Sequence, residues 1–369
     1  MKKNIGLITW YGSKNYGTNV QVYALYKKIK ELGYPCDLIA AFNSNNFSWK
    51  AHLRYVLSFF NSEETIKSVK AINDLKQKKI LKFIQEDISI KHVYTRKQYK
   101  ALLKNYPIFI TGSDQIWNPF HLSEFYLLNF ASSNKRIAYA SSIGVKELPK
   151  NKIELYKKHI SLFDHIGLRE KTGCDLIGKL LNRQDIANVL DPTFLLTPQD
   201  WITFAQNAVI EFVTPQKYIL CYLIGNRDNY EPQIIDIQER TGIQSLIIIQ
   251  SAENRNFNIE GSIVYTNAGP KEFVWLIQHA ELVCTDSFHA TAISINLSID
   301  FIEFLRFNND DNKSQNSRIY DLLEHYQLQE RIYTPHKDIT QKIKYDPIKC
   351  ILEKDRIDSM AYLINAIES

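Results

Sequence analysis

Residues 280–295 read AELVCTDSFHATAISI and contain, in one stretch, the pattern that recurs along the chain. A short apolar run, AELVC, ends in the polar turn TDS, and a second apolar stretch follows that Ser287 is suited to cap as a helix. Short apolar runs alternate with longer amphipathic stretches through most of the sequence, which is typical of β–α units around a mainly parallel sheet. The sequence therefore predicts an α/β fold.

The β–α units form two successive series. In the first series we predict a helix from about Val20 to Gly33 and strands at 5–10, 36–42, 107–111, 136–142, 165–169 and 187–191. In the second series we predict strands at 217–224, 245–250, 280–286 and 300–305. A chain of 369 residues is long enough for two domains with separate cores. We predict an N-terminal domain at 1–205, a C-terminal domain at 206–340 and helices at 341–369 that pack back on the first domain.

Composition excludes several classes of protein. Hydrophobic residues make up 45% and charged residues 23% of the chain, as in ordinary globular domains. The five cysteines are far apart without a CxxC pair, so the sequence supports neither a disulfide framework nor a cysteine zinc site, and a reducing compartment is expected. The N-terminus lacks a cleavage site, and no run approaches the roughly 20 apolar residues of a membrane span. We therefore expect a cytoplasmic protein.

Positive charge is concentrated at residues 47–104, which hold 13 Lys and Arg against 5 Asp and Glu. Within this range, Phe47 to Phe60 (FSWKAHLRYVLSFF) interleaves aromatic residues with Lys50 and Arg54, a pattern that suits a helix lying on anionic lipid. This pattern predicts peripheral contact with the inner face of the cytoplasmic membrane. A solvated helical insertion whose aromatic side chains pack on their own domain is the alternative. No nucleic-acid-binding module accompanies the segment, so nucleic acid is not an expected partner.

The loop after the first strand, GSKNYGT (Gly12 to Thr18), has two glycines at the spacing of a phosphate-binding loop. It lacks the lysine that neutralises β- and γ-phosphates, so an ATPase is weakly supported. Backbone amides at the start of the next helix remain able to hold an anion. A glycine-rich turn between strand and helix explains the same residues.

Polar residues also follow the third and fifth predicted strands. Ser113, Asp114 and Gln115 of GSDQIWN come directly after PIFIT, and Arg169 of HIGLRE ends its strand. Both groups fall at the carboxyl edge of a parallel sheet, where α/β proteins bind ligands. Arginine at this edge suits a carboxylate or a phosphate.

A structural role for the same residues is the alternative. Asp114 and Ser113 are able to close a loop by bonding to backbone, with Trp117 as a packing anchor. Arg169 is able to pair with a carboxylate such as Glu170 or Asp191.

In TDSFHAT, residues 285–291, His289 falls in the first turn of the helix that Ser287 caps, next to Asp286. An imidazole with an ordinary pKa of about 6.5 beside helix amides that favour anions suits acid–base chemistry on a phosphorylated substrate. A packed core histidine is the alternative. The strand-to-helix position favours the functional interpretation.

Five segments taken together resemble the polysaccharide pyruvyl transferase family. They are SKNYGTNVQVYAL, TGSDQIWN, HIGLRE, VLDPTFLL and AGPKEFVWLIQHAELVCTDSFHATAISI, which cover most of residues 4–320 in the expected order. The resemblance implies two Rossmann-like domains that face a cleft, similar to the glycosyltransferase-B fold. It also implies transfer of pyruvate from phosphoenolpyruvate to a hexose of a cell-surface polysaccharide precursor as a cyclic ketal. Phosphoenolpyruvate would be the donor substrate, with no separate cofactor and no metal, and the acceptor a glycan or a lipid-linked sugar.

The resemblance extends to individual residues. Arg169 matches an arginine thought to bind phosphoenolpyruvate, and His289 matches the helix-start histidine, which we expect to transfer protons. Some members carry an arginine two positions before this histidine, where the present chain has Ser287. Arg306 and Arg318 are the candidates to replace that cation.

The other expected site residues fall into two groups. The donor-binding group also includes Asp286 and Ser287. The group that orients donor or acceptor comprises Asn15, Tyr16, Gly17, Thr18, Asn19, Ser113, Asp114 and Gln115. Two alternatives to pyruvyl transfer remain open: a glycosyltransferase that uses a nucleotide sugar, and a glycan-binding relative with altered catalysis.

Overall fold

The computed structural model describes residues 2–42, 74–131, 133–225, 230–251, 257–307, 314–335 and 338–369. Elements are numbered in chain order within these residues. The strands of the first sheet are β1 (Ile5–Ile8), β2 (Cys36–Ile39), β3 (Ile90–Lys91), β4 (Ile108–Thr111), β5 (Lys135–Ser141), β6 (His165–Leu168) and β7 (Ile186–Asn188). The strands of the second sheet are β8 (Ile219–Tyr222), β9 (Leu246–Ile249), β10 (Ile263–Tyr265), β11 (Leu282–Thr285) and β12 (Phe301–Glu303).

Helices connect and flank these strands. They are α1 (Tyr16–Glu31), α2 (Leu75–Asp87), α3 (Arg96–Asn105), α4 (Ile153–Ile160), α5 (Lys171–Leu181), α6 (Pro192–Leu195), α7 (Pro198–Ala205), α8 (Glu231–Thr241), α9 (Pro270–His279), α10 (Phe288–Leu297), α11 (Ser317–His325) and α12 (Tyr345–Glu368).

Both sheets are parallel in every described strand pair. The first sheet has the order β3-β2-β1-β4-β5-β6-β7, and the second has the order β10-β9-β8-β11-β12. Because the strands of each sheet are parallel, their carboxyl ends meet at one edge, where ligands bind in such folds. The predicted α/β class with two parallel-sheet domains is confirmed.

The two domains share a hydrophobic core. Tyr16 at the start of α1 is fully buried and stacks on Phe273 of α9, with 4.9 Å between ring centres. The Tyr16 ring also meets the edge of Tyr222 on β8 at 5.4 Å, and its hydroxyl donates to the Ala268 carbonyl over 2.9 Å. Helix α10 is buried along nearly its whole length because its sequence is apolar on all sides. These contacts fix the carboxyl edges of the sheets relative to one another.

Three elements differ from the sequence prediction. Helix α1 begins at Tyr16 instead of near Val20, since the Asn15 side chain accepts from the Gly17 amide and caps the helix there. Strands β3 and β10 were not predicted, because they lie in shorter apolar runs than β7 and β12, which have only three residues each but were predicted. The final segment forms one helix, α12, where several helices were predicted.

The basic segment predicted as an insertion at 47–104 is only partly described. Residues 43–73, with the lipid-binding candidate Phe47 to Phe60, lie outside the described residues. The remainder forms α2, β3 and all of α3 except its last residue, and β3 pairs with β2 at the sheet edge. This part therefore belongs to the α/β unit of the first domain.

Helix α12 packs on the first domain through specific polar contacts. The Tyr362 hydroxyl donates to the Ala138 carbonyl on β5 over 2.9 Å, and Arg356 Nε donates to the Phe194 carbonyl over 2.8 Å. The helix has 24 residues, and no described helix is both long enough and apolar enough to cross a membrane.

Candidate functional site

Arg169 follows β6 at the carboxyl edge of the first sheet and is only 8% exposed. Its Nε lies 3.0 Å from Glu170 Oε1, and its Nη1 lies 3.0 Å from Asp191 Oδ2. The guanidinium carbon lies 4.0 Å from the centre of the Phe288 ring, which belongs to the second domain. Burial alone would lower the pKa of Arg169, but Glu170 and Asp191 raise it above its ordinary value. The structure thus shows the carboxylate pairing that was the alternative to ligand binding, and it leaves the buried Nη2 without a hydrogen-bond partner among the described residues.

Asp191 joins residues from three strand ends. Its Oδ1 accepts from the amide and hydroxyl of Thr193 and caps α6. Its Oδ2 accepts from Ser113 Oγ over 2.8 Å, pairs with Arg169, and lies 3.4 Å from His289 Nε2. Burial would raise the pKa of this carboxyl, yet His289 and Arg169 hold it well below its usual range. Asp191 therefore stays ionised.

His289 lies in the first turn of α10, as the sequence predicts, and is 4% exposed. The imidazole is held from both domains. Its Nδ1 edge abuts Gly17 in the first turn of α1, where a Cβ atom would overlap the ring. Its Nε2 faces Asp191 without hydrogen-bonding geometry and has no other hydrogen-bond partner among the described residues.

Arg306 follows β12 and is held by Asp286. Its Nε lies 3.2 Å from Asp286 Oδ2, and its Nη2 donates to the Asp286 carbonyl over 2.9 Å. The Asp286 carboxylate also accepts from the Ile224 and Gly225 amides, each over 2.7 Å, and from the Tyr230 hydroxyl over 2.9 Å. This carboxylate is thus occupied in positioning Arg306 and the loop after β8, and the expected contact of Asp286 with the donor stays a prediction.

Arg318 lies in the first turn of α11 and is 8% exposed. Its guanidinium donates to the carbonyl and the side-chain oxygen of Gln315, over 3.2 and 3.4 Å. No described carboxylate lies within ion-pair distance of it. Burial, followed by repulsion from Arg169 and Arg306, lowers the pKa of Arg318 to about 9. A buried guanidinium near two other arginines, without a described counter-ion, is arranged to receive an anionic ligand.

The GSDQ loop after β4 forms the wall between these groups. Ser113 bonds to Asp191 as described above, and Asp114 Oδ2 accepts from the Thr18 hydroxyl over 2.9 Å. Gln115 Nε2 donates across the cleft to Gln315 Oε1 over 2.8 Å, the same oxygen that contacts Arg318. The predicted proximity of this loop to the cleft is therefore observed, and several of its side chains also close the loop.

The loop before α1 is mainly structural. The Asn15 side chain accepts a hydrogen bond from the Gly17 amide, and Asn19 Oδ1 accepts one from the Gly12 amide over 2.9 Å. Asn19 donates to two further carbonyls of the same loop. Tyr16 is buried between the domains, where its hydroxyl donates to the Ala268 carbonyl, and its assignment to the ligand-orienting group stays a prediction. Gly17 remains next to the site because it contacts His289.

Ser287 occupies the N-cap position of α10, but its side chain makes no capping hydrogen bond. It is 2% exposed, and its carbonyl accepts from the Thr291 hydroxyl. A serine here therefore supplies no cation, and among the described residues Arg318 lies close enough to Arg169 and Arg306 to be repelled by both.

Sequence reasoning missed Glu303 at the end of β12. This carboxyl is fully buried, its Oε2 accepts from the Thr291 hydroxyl, and its Oε1 has no partner among the described residues. Burial, with Asp286 nearby, raises the pKa of Glu303 well above its usual range. A single acidic residue inside the apolar strand FIEFL was the signal for it. Asp191 was considered only as a partner for Arg169, although it too ends a strand region at the ligand-binding edge.

The comparisons with known proteins show the family and the fold of the chain. A family model described as "Polysaccharide pyruvyl transferase" matches residues 15–309. The chain belongs to this family. The match begins at the cap of α1 and includes Arg169, Asp191, His289 and Arg306, whereas Arg318 lies beyond it.

Solved structures show which fold this family member has. A candidate UDP-N-acetylglucosamine 2-epimerase from Listeria monocytogenes has a TM-score of 0.51 and 11% identity, over 98% of this chain and 91% of that one. The UDP-GlcNAc 2-epimerase from Neisseria meningitidis, bound to UDP-GlcNAc, has a TM-score of 0.50 and 9% identity, over 98% and 99% of the two chains. A comparison with curated protein sequences returned no match. At these identities the likeness shows the fold alone, two Rossmann-like domains of the glycosyltransferase-B kind.

The site of this pyruvyl transferase family member combines two chemical capacities. Arg318 and the Nη2 of Arg169 offer buried positive charge without sufficient partners, and His289 offers a buried imidazole whose Nε2 lies 3.4 Å from Asp191 Oδ2. Among the described residues, no group of three or more His, Cys, Asp and Glu is placed to hold a metal ion. The arrangement suits an anionic substrate on which a proton is added or removed.

Proposed function

We propose that the protein transfers pyruvate from phosphoenolpyruvate to two hydroxyls of a hexose in a cell-surface polysaccharide precursor, forming a cyclic ketal. The observation that carries this proposal is the pairing of an under-compensated guanidinium, Arg318, with a buried imidazole, His289, around the Arg169–Asp191 ion pair. Phosphoenolpyruvate carries a carboxylate and a phosphate on a small skeleton and needs protonation at carbon. Membership of the pyruvyl transferase family supports the same reaction.

Proton transfer at His289 would begin the reaction. The protonated imidazole delivers its proton to the donor methylene, which becomes a methyl group, and positive charge develops at the central carbon. One sugar hydroxyl attacks this carbon, and the carbon–oxygen bond to phosphate breaks. The second hydroxyl then closes the ring. Of the two hydroxyl protons released, one restores the imidazolium and the other leaves with inorganic phosphate, so atoms and charge balance.

The arginines would stabilise the anionic groups of the donor. Arg318 and the free Nη2 of Arg169 are placed to bind the phosphate or the carboxylate, and Arg306 is oriented by Asp286 at the neighbouring strand end. Each hydrogen bond to a charged group contributes about 1.5–3 kcal/mol. Arg306 or Arg318 thus supplies the cation that Ser287 does not provide.

Donor binding can be tested by thermal unfolding of the purified protein with and without phosphoenolpyruvate. A ligand at 100 times its dissociation constant stabilises by about 2.7 kcal/mol, so we expect the melting temperature to rise. Arg169→Ala should abolish the rise, whereas Arg96→Ala, at an exposed position on α3, should retain it. Stabilisation by uridine or guanosine diphosphate sugars, with no response to millimolar phosphoenolpyruvate, would refute pyruvyl transfer and support a glycosyltransferase.

A lipid-linked acceptor would place the enzyme at the inner face of the cytoplasmic membrane. The proposal of peripheral membrane contact depends on the sequence of Phe47 to Phe60, where Lys50 and Arg54 would each contribute on the order of 1 kcal/mol on anionic bilayers. Co-sedimentation with anionic vesicles should weaken with salt. Equal binding by the wild type and a Lys50→Glu, Arg54→Glu variant would eliminate this role.

A further inference from the structure

A cavity of about 270 Å³ lies in the C-terminal domain, at the amino edge of the second sheet. Leu282, the first residue of β11, and Asp300, just before β12, lie in its wall. It is therefore at the opposite end of these strands from Asp286 and Arg306, and its described lining contains none of the site residues discussed above. Drug-sized ligands occupy sites of about 300–1,000 Å³, so this cavity suits a ligand of only a few heavy atoms.

Arg331 contributes a buried guanidinium to the wall of this cavity. The residue is 4% exposed, its Nε donates to the Phe301 carbonyl over 2.8 Å, and its Nη1 donates to the Gln341 carbonyl over 2.9 Å. These two bonds fix the orientation of the guanidinium. Its Nη2 has no hydrogen-bond partner among the described residues, yet it is not one of the unpaired atoms that are closed to solvent. Nη2 is therefore accessible to a ligand in the cavity.

The positive charge of Arg331 lacks a paired negative charge. Among the described residues no carboxylate lies within ion-pair distance of it, and both of its hydrogen bonds go to uncharged carbonyl groups. Asp300 and Glu330 raise the pKa of Arg331 through their charge, but burial has the larger effect and lowers this pKa below its ordinary value. A buried charge without a counter-ion is unfavourable, and an oxyanion that contacts the guanidinium offsets this cost. Arg331 therefore favours an anionic ligand.

Basic residues outnumber acidic ones in the described lining, where Lys217, Arg240, Arg331 and Lys342 face Glu281 and Asp300. Lys342 engages both carboxylates, since its Nζ lies 2.7 Å from Glu281 Oε1 and 3.0 Å from Asp300 Oδ2. Arg240 pairs with Asp236, which lies outside the lining. Lys217 is exposed and forms no hydrogen bond or ion pair with the described residues. Lys217 and Arg331 thus remain as cations for one anionic group.

Apolar side chains form another part of the wall. Leu282 and Ile339 are buried, Ile243 is partly buried, and all three line the cavity. An inorganic ion has no apolar surface to place against them, whereas a short carbon skeleton does. The lining as a whole therefore suits an oxyanion carried on a small carbon skeleton.

We propose that this cavity binds a small organic anion, whose phosphate or carboxylate group contacts Arg331 Nη2 and Lys217 while its carbon skeleton packs on Leu282 and Ile339. A phosphate monoester and a simple carboxylate share the oxyanion chemistry that a guanidinium recognises. The cavity lies at the other edge of the sheet from the proposed reaction centre, so the inference does not depend on pyruvyl transfer.

The test measures anion binding by saturation-transfer NMR titration, with glycerol 3-phosphate and lactate as probes and glycerol as the uncharged control. The parent protein carries Arg318→Met, which removes a cation of the proposed donor site. In this parent, Lys217→Glu reverses one charge of the cavity and Arg331→Met removes the other. Lys97→Glu makes the matched charge reversal at an exposed position on α3, outside the cavity.

We expect at least one of the two anions to bind the parent and its Lys97→Glu variant equally. The same anion should bind about tenfold more weakly to the Lys217→Glu variant, and binding should be lost in a folded Arg331→Met variant. Glycerol should not bind.

Tighter binding of glycerol 3-phosphate would identify a phosphate ester as the ligand, and tighter binding of lactate would identify a carboxylate. Equal affinities of the Lys217→Glu and Lys97→Glu variants, or no binding of either anion to the parent, would overturn the site. Glycerol binding as tight as that of glycerol 3-phosphate would overturn the anionic assignment. Arg331 also holds the Phe301 carbonyl, so Arg331→Met could fail to fold, but Lys217 is exposed and its variant decides the question alone.

Discussion

Replacing Arg318 by methionine should make the ligand-free protein more stable. Burial beside Arg169 and Arg306 lowers the pKa of Arg318 from its ordinary 12.5 to about 9. A guanidinium remains protonated at neutral pH, so burying this charge lowers the free energy of unfolding of the ligand-free protein. A tenfold change in proton affinity corresponds to about 1.4 kcal/mol, which puts the cost on the order of 5 kcal/mol.

Part of this gain in the free energy of unfolding would be lost with the hydrogen bonds. Arg318 donates to two oxygens of Gln315 over 3.2 and 3.4 Å, and at these lengths each bond from the charged guanidinium contributes about 1.5 kcal/mol, the lower end of its range. Methionine is linear and flexible enough to fill the space of the arginine stem. We therefore expect Arg318→Met to increase the free energy of unfolding by roughly 2 kcal/mol in urea titrations without ligand.

Phosphoenolpyruvate should remove or reverse the difference in free energy of unfolding between Arg318→Met and the wild type. At 100 times its dissociation constant it would stabilise the wild type by about 2.7 kcal/mol, whereas the variant lacks the cation that the ligand neutralises. Urea unfolding of both proteins, with and without the ligand, measures this. Arg96→Met on the surface of α3 serves as the control. It should change neither the free energy of unfolding without ligand nor the stabilisation by phosphoenolpyruvate. A variant less stable than the wild type without ligand, or one stabilised equally by phosphoenolpyruvate, would refute the assignment of Arg318 as an anion-binding charge held under repulsion.

Three further variants test the centre of the site. His289→Ala should retain the fold and lose about 10²- to 10⁴-fold in turnover, and a folded variant with nearly full turnover would show that the histidine is structural. Gly17→Ala should displace the imidazole and lower kcat in steady-state assays, whereas Gly173→Ala, where a Cβ makes only ordinary contacts, should not. Asp191→Asn should cost about 3–5 kcal/mol in chemical unfolding at pH 7, because it breaks a buried ion pair. Because the pKa of Asp191 is lowered in the folded state, its contribution to the free energy of unfolding is present above about pH 4 and is lost as the pH falls further. The free energies of unfolding of Asp191→Asn and the wild type should therefore converge at acid pH.

Much of the fold could be predicted from local patterns. The central strands are apolar runs bounded by polar turns, and the structure places strands such as β4 and β6 within the ranges that the sequence indicates. Edge strands of two or three residues, β3 and β10, carry no periodic signal of their own. They form because a neighbouring strand offers its backbone groups, which is a property of the assembled sheet.

The site shows the same division between local and tertiary information. The strand-end position of Arg169 and the helix-start position of His289 follow from the sequence near each residue. The burial of Tyr16 does not, because it depends on Phe273 and Tyr222, which are more than 200 positions away. Asp286 likewise lies at the predicted strand end, but the orientation of its carboxylate depends on hydrogen bonds from amides of the loop after β8.

The hydrophobic core that Tyr16, Phe273 and Tyr222 build across the domain boundary also determines how the chain can be divided. Domains joined by a polar hinge unfold separately and can be expressed apart, whereas these two bury apolar surface against each other and should melt in a single transition. A fragment ending at residue 205 would present the bare ring of Tyr16 and its apolar neighbours to water and would aggregate. Combining the N-terminal domain of one relative with the C-terminal domain of another therefore requires the transfer of these three aromatic residues as a unit, together with Gly17 and the histidine that it contacts.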